Sequence, residues 1–330
     1  PDASRVEDDG DSRNIELPDS KVNHLKVTTH QQYRWNGIQL SGDFGYQFNH
    51  REEWSAFHTH YDTQVMPAKD PDRELVFKLH TFSSSLKLRL SSSSSWEHMA
   101  GWNMQIQKNA IGGYSFLLPE YKRFTTGAFW LTTFRLDNRL SVTGGIRYDR
   151  GRIDIAAFED PYLVEYLHRQ GYEEEVIQAY RWRSYPVDRA YGNYSCSAGV
   201  VWTPAAGHLL KMNVGRSFRL PGGNELASNG VHHGTFRHEK GDATLSSEQG
   251  WQIDASYTLA YKKMELVVSS FAGWFDNYIY LRPTGEWSVL PHAGQIYQYS
   301  GARALFMGGE INFNMDFLRH FNYRLVGEYV

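Results

Sequence analysis

Long stretches of the chain alternate apolar and polar residues with a period of two. In Gly309 to Phe317 the odd positions are Ile311, Phe313, Met315 and Phe317, and the even ones are Glu310, Asn312, Asn314 and Asp316. Trp251, Ile253, Ala255, Tyr257 and Leu259 interleave in the same way with Gln252, Asp254, Ser256 and Thr258, and Ile38 to Phe48 and Leu140 to Tyr148 repeat the design. Successive side chains of a strand point to opposite faces, so each run has one greasy face and one wet one; a helix would need a period near 3.6. Several runs exceed ten residues, whereas strands of soluble sheets average about 5 to 6. Strands of that length with aromatic ends predict an all-β fold, a transmembrane antiparallel β-barrel with lipid outside and water inside.

The pattern predicts about twelve strands joined by connections that switch between short and long. Strands at 22–34 and 38–54 flank Trp35-Asn36-Gly37, where Asn-Gly accepts the positive φ of a tight hairpin. Strands are expected near 73–91 and 96–108 around a Ser92 to Ser95 turn, near 123–136 and 139–153 around Asp137-Asn138, and near 191–203 and 209–217 around Pro204 to Gly207. The series ends with 248–260, 264–282, 294–316 and a last strand running to Val330 after a turn at Leu318 to Phe321. Long connections fall at 55–72, 109–122, 154–190, 218–247 and 283–293. The 154–190 loop reads as solvated surface, with a short helix within Leu163 to Ala179. Outer-membrane barrels sort their connections this way, brief on one side and long on the other; a soluble sandwich or propeller has no reason to.

Composition agrees: 330 residues with 21 Tyr, 18 Phe, 10 Trp and 29 Gly suit one large β body. The mean hydropathy of -0.55 and the lack of a run near twenty apolar residues exclude a helical membrane protein but not a barrel, since half of each barrel strand is polar. A net charge of -3 gives no broad basic surface, so no nucleic-acid partner is expected. The single Cys196 alternates with small residues and reads as strand packing. Residues 1–21 read as a preceding segment. Pro1 to Arg5 carry no signal-peptide pattern, and both ends of the chain look cut.

One segment is more specific. Gly215-Arg216-Ser217-Phe218-Arg219-Leu220-Pro221-Gly222-Gly223-Asn224-Glu225-Leu226 is followed by Gly230-Val231-His232-His233 and then by Gly241-Asp242-Ala243-Thr244-Leu245-Ser246-Ser247-Glu248. It resembles the TonB-dependent outer-membrane receptors, in which a strand ends in a Phe-Arg-x-Pro box and an Asn/Gly-Pro/Asp-x-Leu-x-x-Glu box begins the returning strand. Gly144-Gly145 in Gly144 to Asp149, and Gly308-Gly309-Glu310, fit the same pattern. The resemblance covers most of 22–330. It implies that 22–330 is part of a 22-stranded barrel in the bacterial outer membrane. An N-terminal plug, which would meet the TonB complex, and the final strands would lie outside this chain. It also implies uptake of a scarce metal chelate, an iron siderophore, haem or zinc complex, with no intrinsic cofactor and no catalysis.

Physically, Phe218, Arg219, Pro221 and Glu248 read as loop anchors: Arg219 offers a fixed charged fork to which Glu248 is the expected acceptor, and Pro221 ends the ladder. Direct ligand contact by Arg219, Asn224 and Glu225 is the competing role. The chain has 14 histidines, of which His232, His233 and His238 gather between the boxes. Neutral imidazole binds iron, zinc or haem iron, and haem receptors of the resembled family place a histidine here, which makes His232 or His233 the matching candidate. The plainer reading is a solvated, hydrogen-bonded pair. His58 and His60 share a face if extended and, with Glu52, Glu53 or Asp62, form a second candidate divalent-metal site. Trp287, Tyr297 and Tyr299 are expected in an aromatic belt for the most part. No nucleophile elbow, phosphate loop or His-Glu-x-x-His motif is present, so the chain is not read as an enzyme. The alternatives to metal-chelate import are a porin-like or surface-binding barrel, a receptor of the same kind for cobalamin or oligosaccharide, and a soluble β binding protein.

Overall fold

The computed structural model describes residues 15–91, 93–232, 235–291 and 293–330, apart from the side chains of His232 and Leu318. Twelve long strands among them build one wall: β1 (Asp19–Trp35), β2 (Ile38–Trp54), β3 (Arg73–Ser91), β4 (Trp96–Gly112), β5 (Tyr121–Arg135), β6 (Leu140–Ile155), β9 (Val187–Trp202), β10 (His208–Arg219), β13 (Glu248–Tyr261), β14 (Met264–Trp287), β15 (Gln295–Leu318) and β16 (Phe321–Tyr329). Each is antiparallel to the next in this order. The loops carry short elements: β7 (Phe158–Glu159), α1 (Pro161–Arg169), α2 (Glu174–Tyr180), β8 (Trp182–Ser184), α3 (Gly223–Ala227), β11 (Asn229–His232) and β12 (Arg237–Lys240). β12 adds to β15 in parallel beyond the reach of β16. Among the described residues β1 and β16 each pair on one side only, so the sheet stands open.

Register turns the alternation into two surfaces. Leu210, Tyr257, Val268, Ile311 and Gly327 lie directly opposite one another on five adjacent strands, and Val27, Tyr46, Phe82, Ile106 and Phe124 do so on five others. Many of these apolar side chains are exposed, Ile311 by 49% and Val27 by 60%, which in water would be a large uncompensated cost. The other face carries a polar row across seven strands: His30, Asp43, Ser85, Asn103, Gly127, Asp149 and Asn193. Its groups satisfy one another. His30 meets Asp43 at 2.6 Å, Asn103 Nδ2 donates to Ser85 Oγ at 2.9 Å, and Arg147 donates to Asn103 Oδ1 at 2.8 Å and to Asp149 at 2.7 Å. Gly127 leaves the space this ion pair occupies, since a Cβ there would lie 2.0 Å from Asp149 Oδ1. Among the described residues no helix is long and apolar enough to cross a membrane. The long strands with one apolar and one polar face are those that the period-two pattern predicts.

All short turns lie at one end. The Asn36-Gly37 turn has both residues at positive φ, 43° and 79°, as its sequence predicts. At the other end the long connections fold. The 154–190 segment departs from the expected solvated surface: Leu163, Leu167, Ile177 and Tyr180 are buried, and Gly171 at φ 78° divides the expected single helix into α1 and α2. Glu173, Glu174 and Glu175 stay exposed on the outer side. Ser92 and residues 1–14 lie outside the described residues, as does His292.

Candidate functional site

The long-loop end is a cap assembled from four connections far apart in sequence. Tyr61 from 55–72, Leu163, Leu167, Ile177 and Tyr180 from α1 and α2, Val231 from β11, and Leu290 and Ala293 before β15 form one buried core. A second core seats the cap on the polar face of the wall, with Leu226, Ala227 and Leu245 packed on Ile153, Ile155, Val187 and Ile279. Asp160 starts α1 by accepting from Leu163 N at 3.2 Å, with Pro161 at the first helical position where no donor is lost.

Arg219 closes the base of the 220–247 loop. Its Nη1 donates to Glu225 at 3.0 and 2.8 Å, and its Nη2 and Nε donate to Glu248 at 3.1 and 3.4 Å. Arg219 and Glu248 are register partners on β10 and β13. Glu225 also accepts from Gly222 N at 2.6 Å, and Glu248 from Ile279 N at 2.9 Å, so both carboxylates are fixed from behind. Asn224 donates to Tyr299 Oη at 3.1 Å, and Tyr299 donates to Glu239 at 3.3 Å, which places Tyr299 in the loop network and not in the aromatic belt expected of it. Pro221 is fully buried where the chain leaves β10, next to the half-exposed Phe218. The structure thus brings Arg219, Glu225 and Glu248 into one ionic node, with Asn224 in its own link to Tyr299.

The histidines are dispersed. His238, expected to face a ligand, is fully buried on β12 with both ring nitrogens engaged: Nδ1 with Ser288 Oγ at 2.8 Å and Nε2 with Asn229 Oδ1 at 2.9 Å. Asn229 donates through Nδ2 to Ala179 O at 2.9 Å and Trp182 O at 2.7 Å, so its oxygen must face His238 and Nε2 carries the proton. Burial, helped by the charges of Lys240 and Arg183, pushes His238 down to about 3. It is a neutral pin between hairpin and cap, with no lone pair left for a metal. His58 and His60 do come together, edge to face with ring centroids 4.9 Å apart. His58 Nδ1 faces Ala56 O at 3.1 Å, while Glu52 binds Trp54 at 3.1 Å and His50 at 3.2 Å, away from the pair. Among the described residues no group of three or more His, Cys, Asp and Glu converges as a metal site. His232 ends β11 opposite Arg237 in register; its side chain and all of His233 lie outside what is described.

Two residues that sequence reasoning passed over stand at the centre of the cap. Arg183 on β8 is only 4% exposed, and its Nη1 donates to Tyr61 Oη at 3.3 Å. Tyr61 in turn donates to Asp160 Oδ2 at 2.8 Å. Burial, against the opposing pull of Arg183, drives the Tyr61 hydroxyl well above its ordinary range. A cavity of about 550 Å³ opens beside them, lined among others by Met66, Phe116, Phe158 and Tyr162. No motif announces Arg183; its only sequence signal is its place in an aromatic-rich run, Tyr180 to Tyr185.

A family model described as TonB dependent receptor-like, beta-barrel, matches residues 3–330. No curated protein matches the chain. Among solved structures it is similar to a double mutant of the Serratia marcescens hemophore receptor HasR in complex with its hemophore HasA and heme. That match has 18% identity and a TM-score of 0.67 over 94% of this chain and 48% of that one. It is also similar to the copper transporter OprC, at 14% identity and TM-score 0.68 over 94% and 46%. A third likeness is to the FrpB iron transporter from Neisseria meningitidis (F3-3 variant), at 12% identity and TM-score 0.59 over 94% and 44%. The chain spans about half the length of these structures, and at such identities the likeness speaks for the fold.

Proposed function

Since the chain belongs to the TonB-dependent receptor β-barrel family, we propose that its protein is an outer-membrane receptor importing a scarce metal chelate, an iron siderophore, haem or zinc complex. In this reading the long-loop end faces the exterior and the exposed apolar face meets lipid. Further wall strands close the sheet around a plug, and the plug couples to TonB. The observation that carries the reading is the cap: four separate connections share one core above a polar wall, which suits capture of a dilute solute better than free diffusion through an open pore. Solved neighbours described as a hemophore receptor, a copper transporter and an iron transporter support metal-bearing cargo. Of the expected ligands, His232 and His233 keep their place in the proposal through their position in the sequence between the two boxes.

The test is uptake by cells expressing the full-length protein, with haem, ferric siderophores, zinc complexes, cobalamin and an oligosaccharide as solutes. The proposal expects accumulation of a metal chelate that stops when the proton-motive force is collapsed. Uptake that survives the collapse would make the protein a passive porin. Energised uptake confined to cobalamin or oligosaccharide would leave a receptor but replace its cargo. Loss of uptake in His232→Ala/His233→Ala would assign those rings a ligand role.

A further inference from the structure

Arg183 poses an electrostatic problem that the fold itself leaves open. Its guanidinium is packed between the Phe116 ring, 5.8 Å from Cζ, and the backbone of Gly230, where a Cβ would come within 2.6 Å of Nε. One donor goes to Tyr61, but Nε is buried with no hydrogen-bond partner, and no carboxylate forms an ion pair with Arg183 among the described residues. Asp160, which lines the same cavity, is linked to Arg183 through the Tyr61 hydroxyl and is engaged in capping α1. Removing an unpaired cation and a free N–H from water is costly, and an anion arriving beside them offsets that cost. The cavity beside Arg183 has the size of a small-molecule site. Phe116 and Phe158 stack in its wall, ring centroids 5.0 Å apart, and Met66 and Tyr162 are exposed at 56% and 40%.

We propose that this cavity is the cargo subsite for a flat, largely apolar chelate bearing a free carboxylate, with Arg183 receiving the carboxylate and the Phe116–Phe158 wall receiving the plane. The assignment rests on the receptor reading above and adds to it the chemical class of the cargo. Tyr61 positions the guanidinium, and Gly230 gives it room.

The experiment uses the full-length receptor in detergent and follows tryptophan quenching with three probes: Fe(III)-protoporphyrin IX, its dimethyl ester, and ferric citrate. The diacid is expected to bind about 10- to 100-fold more tightly than the ester, the scale of a buried charge-assisted contact, and more tightly than ferric citrate, which lacks the plane. Arg183→Met should remove the diacid's advantage and leave ester affinity within about threefold, with Arg183→Lys between the two. Equal weakening of diacid and ester by Arg183→Met would mean a structural role and overturn the subsite. So would wild-type protein that does not distinguish diacid from ester, a comparison that stands even if a variant fails to fold, and so would ferric citrate binding as tightly as the porphyrin. Any of these results alongside energised uptake of a chelate sinks the subsite alone; absence of energised uptake sinks the receptor reading with it.

Discussion

His238 makes the cap sensitive to acid in a way that can be calculated. In the closed cap the ring is neutral and held near a pKa of about 3 by burial and by the Lys240 and Arg183 charges, with Tyr180 edge-on at 5.3 Å. When the β11–β12 hairpin opens, the ring meets water and returns to its ordinary value of 6.5. Above pH 6.5 both forms are neutral and opening does not depend on pH. Below it the open form takes up a proton that the closed form refuses, so stability falls with pH until the closed ring also titrates near 3. Each unit is worth about 1.36 kcal/mol, so between pH 7 and pH 5 the closed cap should lose about 2 kcal/mol, roughly a 30-fold rise in opening. Hydrogen exchange of the 229–240 amides, corrected for the intrinsic pH dependence of exchange, reads this directly. His238→Gln keeps a polar group at the position but cannot titrate, so its opening should be flat over the same range. Equal pH dependence in wild type and His238→Gln would refute the assignment of His238 as a buried neutral pin.

Other outcomes follow from the same geometry. Arg219→Met leaves Glu225 and Glu248, only 13% and 12% exposed at their side chains, facing each other without the cation, and should loosen the 220–247 loop by about 2–4 kcal/mol, seen as faster exchange there while the wall strands stay protected. Gly127→Ala puts a methyl into the Arg147–Asp149 pair and should lower the unfolding midpoint by an amount equivalent to about 1–3 kcal/mol; an unchanged midpoint would mean that the polar row rearranges freely. Ile311→Arg should cost about 2–4 kcal/mol in folding from urea into lipid vesicles if the position lies at bilayer depth, whereas Asn312→Arg on the opposite face should cost far less.

The wall was legible because its signal is local. Periodicity places β2 at 38–54 and β3 at 73–91, the spans the structure shows, and the Asn36-Gly37 hairpin follows from backbone sterics. Errors collect at the long-loop ends, where β4 runs on to Gly112, β9 begins at Val187 and β14 reaches Trp287. These extensions are paired but no longer bathed in two solvents, so the alternation that marks a strand fades before the strand stops. The cap was not legible for a different reason. Leu163, Ile177, Val231 and Leu290 become a core only when four connections meet, and no single stretch carries that periodicity. Hence Arg183, in a run read as solvated, proves buried, and His238, grouped with His232 by proximity in sequence, turns inward to Asn229 and Ser288. The pairing of Arg219 with Glu248 was readable because the two resembled boxes put one at the end of a strand and the other at the start of the returning strand, and the structure makes them register partners.

The account depends above all on which side of the sheet meets lipid. In a Cys196→Ser background, single cysteines at Glu310, Ile311, Asn312 and Phe313 can carry an environment-sensitive fluorophore in vesicles that contain a lipid-attached quencher. The account predicts blue-shifted, quenched emission at 311 and 313 and red-shifted, unquenched emission at 310 and 312. The reverse order, or four equivalent sites, would contradict it.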